Sequence, residues 1–228
     1  LQDNQLKFIS ANILTPMTGI ESVDLTTNEC IDLSHPKNTL LAVEAAIIDH
    51  CIAPIELNCQ VTENSCSAEV LVINYPKTKI LKTNKNQFAS SITKLIIANQ
   101  SAKFLPFQLA EVFPQLHGIF VENSKLAALQ KNDFEGFNEL KIIKISRNNL
   151  TTIEEETFDD VTQIEHINLS SNHIKSLPSR VFVKLIHLKT LVLTDNQIEK
   201  FTADLFPHKN AIEKFRIDEN QLELIEMK

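Results

Sequence analysis

The chain of 228 residues has a formal net charge of −7 and a hydrophobic fraction of 43%, enough apolar material for a sizeable core and too much for a disordered tail. Its acidic balance, with no clustered Lys and Arg, excludes a general nucleic-acid binder, and 3 Gly with no Trp argue against Gly-rich phosphate loops. The 13 Phe against a single Tyr read as core filler.

One pattern, LxxLxLxxNxLxxL followed by FxxL, organises the chain with a period of about 24 residues. The first residues already fit it: Leu1 takes the sixth column, Asn4 the ninth, Leu6 the eleventh and Ile9 the fourteenth, and Ile20, Val23, Leu25 and Asn28 begin another coil. The opening residues LQDNQLKFIS lack a basic start followed by an apolar stretch, so they do not read as a signal peptide. The repeat stops at Asn28-Glu-Cys30-Ile-Asp. Residues 38–50 then predict an amphipathic helix, with Leu40, Leu41, Ala45, Ile47 and Ile48 available to cover an open end, and Cys51 closes the segment. The most apolar part of the chain, residues 40–48, carries Glu44 and falls well short of the roughly 20 apolar residues that cross a bilayer. No membrane span is expected. After Pro54 come Cys59, Cys66 and an apolar strand over residues 70–73, whose Leu71 and Ile73 stand one full period before Leu95 and Ile97. The four Cys permit three pairings. Their placement only at interruptions of the repeat favours disulfides over buried thiols or a zinc site. No CxxC pair occurs, and His50 is the only His immediately beside one of these Cys.

From residue 92 the pattern runs without a break. Its first positions are Ile92, Leu116, Leu140, Ile164, Leu188 and Ile212, each one period after the last. The fourth column (Leu95, Ile119, Ile143, Ile167, Leu191, Phe215) and the sixth (Ile97, Val121, Ile145, Leu169, Leu193, Ile217) predict a short strand with alternate residues facing inward. Pairs such as Leu150/Ile153, Ile174/Leu177 and Ile198/Phe201 bring the chain back inward. Phe134, Phe158, Phe182 and Phe206, with Phe113, Phe137, Val161 and Leu185 in the next column, complete each coil. A single coil cannot enclose its apolar side, so neighbours must stack. The ninth column holds Asn148, Asn172, Asn196 and Asn220, amides able to donate to and accept from the backbone of adjacent coils. Gln100 and Ser124 keep that column polar in the two earlier coils but leave the turn geometry open.

On these registered copies the chain resembles the typical leucine-rich-repeat family. The resemblance implies an α/β solenoid, a horseshoe with short parallel strands on its concave face and irregular or short helical segments on its convex face. The interruption around Pro54 resembles the C-terminal cap of one extracellular module followed by the N-terminal cap of another. Three parts are therefore expected: residues 1–51 as the end of a first module with its cap, residues 52–91 as the N-terminal cap and first strand of a second, and residues 92–228 as six repeats, the last incomplete. That module plan implies the pairings Cys30 with Cys51 and Cys59 with Cys66. Tandem modules joined cap to cap resemble the ectodomains of the Toll and Slit families, and the Asn-x-Cys-Ile-Asp ending resembles secreted or membrane-anchored arthropod repeat proteins. Those families generally carry more cysteines in each cap, so the plan transfers and a named ligand does not. The last coil ends at Lys228 without a second cap, as expected of a piece of a longer protein.

Chemistry is sparse. All four Cys have a structural assignment, leaving no nucleophile. His35, His50, His117, His166, His173, His187 and His208 are scattered, with no HExxH, GxSxG or GxxxxGK[ST] motif beside them. Glu154-Glu155-Glu156 reads as a solvated charge run. The expectation is neither an enzyme nor a cofactor or metal protein. Binding is sought instead on strand residues that point away from the core: Lys94, Gly118, Ile142, His166, Thr190 and Lys214 in the third column, and Ile96, Phe120, Lys144, Asn168, Val192 and Arg216 in the fifth. Ile96, Phe120 and Ile142, on strands about 5 Å apart, make a candidate apolar patch flanked by Lys144, Arg147 and His166. A central aromatic with charged neighbours suits a protein interface, although scattered surface apolar residues are also ordinary. Asn99, Asn149 and Asn168 open Asn-x-Ser/Thr sequons. Asn149, just past a strand, is the preferred glycosylation site, because a glycan on Asn168 would obstruct the concave sheet. The function implied is an extracellular recognition module, secreted or the ectodomain of an anchored receptor, that binds a protein ligand or co-receptor in innate immunity or cell-surface adhesion. The alternative is an assembly protein whose caps or lateral faces make a homo- or heterodimer.

Overall fold

The computed structural model describes residues 22–24, 34–36, 54–83, 86–206 and 211–226. A short antiparallel ladder pairs Ser22–Asp24 with Ser34–Pro36. The helix expected over residues 38–50, and both Cys30 and Cys51, lie outside the described residues.

The main sheet has eight strands, taken here in chain order as β1 (Cys59–Thr62), β2 (Ser65–Ala68), β3 (Lys94–Ala98), β4 (Gly118–Glu122), β5 (Ile142–Ser146), β6 (His166–Asn168), β7 (Thr190–Val192) and β8 (Lys214–Arg216). Each strand lies beside the next. The β1–β2 pair is an antiparallel hairpin, and every later pair is parallel. From β3 onward the sequence period is the sheet register, with Leu95 opposite Ile119, Ile119 opposite Ile143, Ile143 opposite Ile167, and so on to Phe215. Because side chains alternate across a strand, the fourth and sixth columns go inward together, and Leu95, Ile97, Ile119, Val121, Ile143, Ile145, Ile167, Leu169, Leu191 and Leu193 are fully buried.

Behind the sheet the aromatic column forms a continuous spine. The rings of Phe134, Phe158, Phe182 and Phe206 stack at centroid separations of 5.6, 5.8 and 5.9 Å, within the range of favourable offset stacking. Each ring closes its own coil and the one beside it. The ninth column works as the pattern requires. Asn148 Oδ1 accepts from the Ser124 and Leu126 N–H groups, and its Nδ2 donates to the Val121 and Ser146 carbonyls. Asn172, Asn196 and Asn220 repeat the arrangement one coil at a time. Gln100 and Ser124 substitute for Asn here: Gln100 accepts from Leu71 N–H and donates to the Ala98 carbonyl, and the Ser124 hydroxyl accepts from Gln100 N–H. The residue before each of these positions has a left-handed backbone, with φ between 49° and 58° at Asn99, Asn123, Arg147, Ser171, Asp195 and Glu219. No β-branched residue occupies that column, which is what such a conformation requires.

Convex segments are short: one helical turn at Leu109–Val112, 3-10 turns at Asn86–Ser91 and Ala203–Leu205, and two-stranded parallel pairs such as Ala128–Leu129 with Thr152–Ile153. The α component of the expected α/β solenoid amounts to little more than these turns among the described residues.

One expectation needs correction. The strand before Leu95 is not residues 70–73 but β2, where Cys66 sits opposite Leu95. Val72–Ile73 instead pairs with Ser101–Ala102 on the flank. In both ladders the step along the chain, from Cys66 to Leu95 and from Val72 to Ser101, is longer than the repeat period. The hairpin supplies its own inward residues, Cys59 and Cys66, joined by a disulfide with a Cα separation of 5.2 Å, and so displaces Leu71 and Ile73 to the next layer of the core. Phe215 faces inward as its column predicts, its ring 5.0 Å from that of Phe201 and 6.4 Å from that of Phe206, although at 40% exposure it is the least covered residue of the column.

Candidate functional site

The third and fifth columns project from the concave side of the sheet. Phe120 is at the centre of the sequence-predicted patch, with Ile96 opposite it on β3 and Lys144 opposite it on β5. Gly118 and Phe120 are two residues apart in one strand and therefore share a face. The Phe120 ring folds across the glycine, so that a Cβ built on Gly118 would stand 2.6 Å from Phe120 Cε2. On the other side, Lys94 Nζ lies 4.6 Å from the ring centroid, in cation–π geometry. Ile142 borders Gly118 on β5. Ile96, Phe120, Ile142, Lys144 and His166 are each half-buried, so the apolar patch is a low surface packed by its neighbours rather than a set of projecting side chains. Arg147 is exposed in the left-handed turn after β5, and its guanidinium reaches Glu122 Oε1 at 3.1 Å instead of pointing over the patch. The patch, Lys144 and His166 thus lie together, while Arg147 sits at the border.

Along the rim where the chain enters the strands, charges alternate from coil to coil. Glu165 lies 3.7 Å from Lys141 and 2.5 Å from Lys189. The hydrogen bond from Lys189 holds the Glu165 carboxyl below its ordinary value, and Glu165 in turn holds the Lys189 ammonium up. All three groups are solvated, so the ladder orders the rim more than it stabilises the fold.

The sequons fall in different places. Asn99 and Asn149 are exposed in turns, with Asn99 Oδ1 accepting from Asn123 Nδ2, whereas Asn168 is half-buried on the sheet and its Oδ1 accepts from Ser170 N–H. On the convex side Glu154, Glu155 and Glu156 are exposed, and Glu156 pairs with Lys131. Among the described residues no group of three or more His, Cys, Asp and Glu is placed to hold a metal ion, and no helix is long and apolar enough to cross a membrane.

One titratable group is unusual. Burial raises the Asp133 carboxyl from an ordinary value of 3.8 to about 7, against a hydrogen bond from Gln130 N–H that favours the charged form. A carboxyl raised on folding binds its proton more tightly in the native state, so its contribution favours folding below about pH 4 and is lost as pH climbs to about 7. Asp133→Asn keeps an acceptor for Gln130 and abolishes this titration. The variant should match the parent near pH 4 and exceed it near pH 8, by at most about 4 kcal/mol. Urea unfolding at the two pH values reads the difference, and equal gaps at both would refute the assignment.

Strand periodicity placed the patch residues on one face. It did not reveal the notch at Gly118, the lysine over Phe120 or the left-handed column. The first had a signal, since Gly118 is the only glycine in any strand column and stands two residues before the only aromatic in the fifth.

Stacked coils with a parallel concave sheet, an interior amide column and an open outward strand face define a leucine-rich-repeat solenoid, a class whose members commonly bind other proteins and are typically non-enzymatic. The family model for the leucine rich repeat matches twice, over residues 114–174 and 162–222, and these repeats belong to that family. A similar solved structure is the crystal structure of an internalin (inlF) from Listeria monocytogenes str. 4b F2365. It is 16% identical, with a TM-score of 0.45 over 70% of this chain and 43% of that one. The chain therefore spans less than half of that internalin. No curated protein matches the chain.

Proposed function

We propose that the chain is an extracellular recognition module that binds protein through the concave patch centred on Phe120. The observation that carries this reading is the half-buried aromatic between Ile96 and Ile142, preorganised by Gly118 beneath it and Lys94 over it. A rigid aromatic flanked by cations is the composition of an interface hot spot. The Cys59–Cys66 disulfide at the head of the sheet supports a location outside the cell. Such a module acts as a secreted protein or as the ectodomain of an anchored one, with a role in immune or cell-surface recognition.

The test is quantitative capture from extracellular fluid by the parent chain, Phe120→Ala and the convex control Glu155→Ala. Partners held by parent and control should be lost at least tenfold from Phe120→Ala, about 1.4 kcal/mol or more. Gly118→Ala, which pushes the ring aside without removing it, should weaken the same partners. Undiminished binding by a folded Phe120→Ala protein would refute the placement.

A second reading, assembly through the cap, is favoured by Val70 and Val72, which are 71% and 52% exposed beside the hairpin. If light scattering shows a dimer that Val70→Ser with Val72→Ser dissociates, the cap is an assembly surface.

A further inference from the structure

We infer that the concave face takes an acidic protein segment carrying an apolar side chain, an inference that rests on the concave reading above and specifies its partner. The chain as a whole is acidic, with 29 Asp and Glu against 22 Lys and Arg. The two central rows of its outward strand face reverse that balance. The twelve third- and fifth-column positions on β3 to β8 include Lys94, Lys144, Lys214 and Arg216, with His166 among them and no carboxylate. On the hairpin the outward residues are Gln60, Thr62, Ser65 and Ser67, again without a carboxylate. The outward face of β4 ends on one carboxylate, Glu122, which Arg147 holds; in the bordering rows Glu165 is held by Lys141 and Lys189, and Asp218 by Arg216. Among the described residues Lys144 and Lys214 have no ion-pair partner. Clefts lined by one sign of charge concentrate the opposite sign.

The apolar patch narrows the partner further. Lys94 and Lys144 bracket Ile96, Phe120 and Ile142, so a segment with carboxylates on either side of a Leu, Ile or Phe meets both features at once. Lys214 lies three strands beyond β5, roughly 14 Å at the usual strand spacing, and the positions between hold only His166, Asn168, Thr190 and Val192. A sulfated glycan or nucleic acid needs a denser row of cations and leaves the patch uncovered. The arrangement fits spaced carboxylates on a protein.

An unbiased displayed library of peptides about a dozen residues long, panned on the whole chain at low salt, reads the chemistry directly. Enriched peptides should combine Asp or Glu with Phe, Leu or Ile. Synthesised, they should bind Lys144→Glu and Lys214→Glu at least tenfold more weakly than the parent, both variants keeping its circular dichroism. Enrichment of neutral or basic peptides, or binding indifferent to both charge reversals, overturns the inference. So does displacement by a heparin oligosaccharide at concentrations equal to or below the peptide's own. The two readings separate cleanly. Peptides lost from Phe120→Ser but indifferent to the charge reversals sink the acidic partner alone, and peptides indifferent to Phe120→Ser as well sink the concave site.

Discussion

Replacing Phe158 by Ala should lower the stability of the chain by about 3–5 kcal/mol. Phe158 is fully buried and is the second ring of the spine, stacked on Phe134 at 5.6 Å and on Phe182 at 5.8 Å. Truncation opens a cavity that two coils share, and neither can close it, because the register of the sheet holds the strands on either side. Two aromatic contacts also go, each worth roughly 0.5–1.5 kcal/mol beyond the area involved. Phe158→Leu fills most of the space and should cost markedly less. In a solenoid each coil touches only its neighbours, so the damage should spread outward from residue 158 rather than weaken all coils equally. Urea unfolding checks the magnitude, and a cost below about 1 kcal/mol would mean that the spine is not a shared core.

Asn148→Ala should be destabilising by roughly 3 kcal/mol or more. The amide receives the Ser124 and Leu126 N–H groups at 2.9 and 3.2 Å and donates to two carbonyls at 2.9 Å. These partners are buried groups of the preceding coil and of the turn itself, and an orphaned buried donor or acceptor costs about 1–3 kcal/mol. Asn148→Asp should rescue little. It keeps the acceptor but loses both N–H donors and places a charge in the interior. The neighbouring Asn149, exposed at the surface, gives the control: Asn149→Ala should stay within about 0.5 kcal/mol of the parent. Similar costs at the two positions, measured by chemical denaturation, would contradict the role of the ninth column.

How much of this was legible in the residues depends on whether a repeat enforced it. From Ile92 onward, Leu95, Ile119 and Ile143 recur at one spacing and the strands are parallel, so a period in the chain becomes a register in space. The interior amides were legible for the same reason, and Gln100 and Ser124 proved to make equivalent bonds with different side chains. Where the repeat breaks, the inference broke too. Leu71 and Ile73 carry the right apolar pattern at the right distance, but an antiparallel hairpin closed by Cys59 and Cys66 competes for the same sheet edge and takes it. Pattern alone cannot weigh a covalent closure against a period. The candidate site was legible as a face and not as a surface. Alternation placed Ile96, Phe120, Ile142 and Lys144 outward, but the fold of the Phe120 ring across Gly118 depends on rotamers, and Arg147 turns to Glu122 because its backbone is left-handed.

The most direct measurement is hydroxyl-radical footprinting of the chain alone and with its partner bound, because labelling reads side-chain access residue by residue. A concave recognition face predicts that Phe120, Ile96 and Ile142 lose labelling in the complex, while Val70 and Ile186, exposed elsewhere on the fold, label as before. Unchanged labelling at Phe120 with protection at Val70 or Ile186 would contradict it.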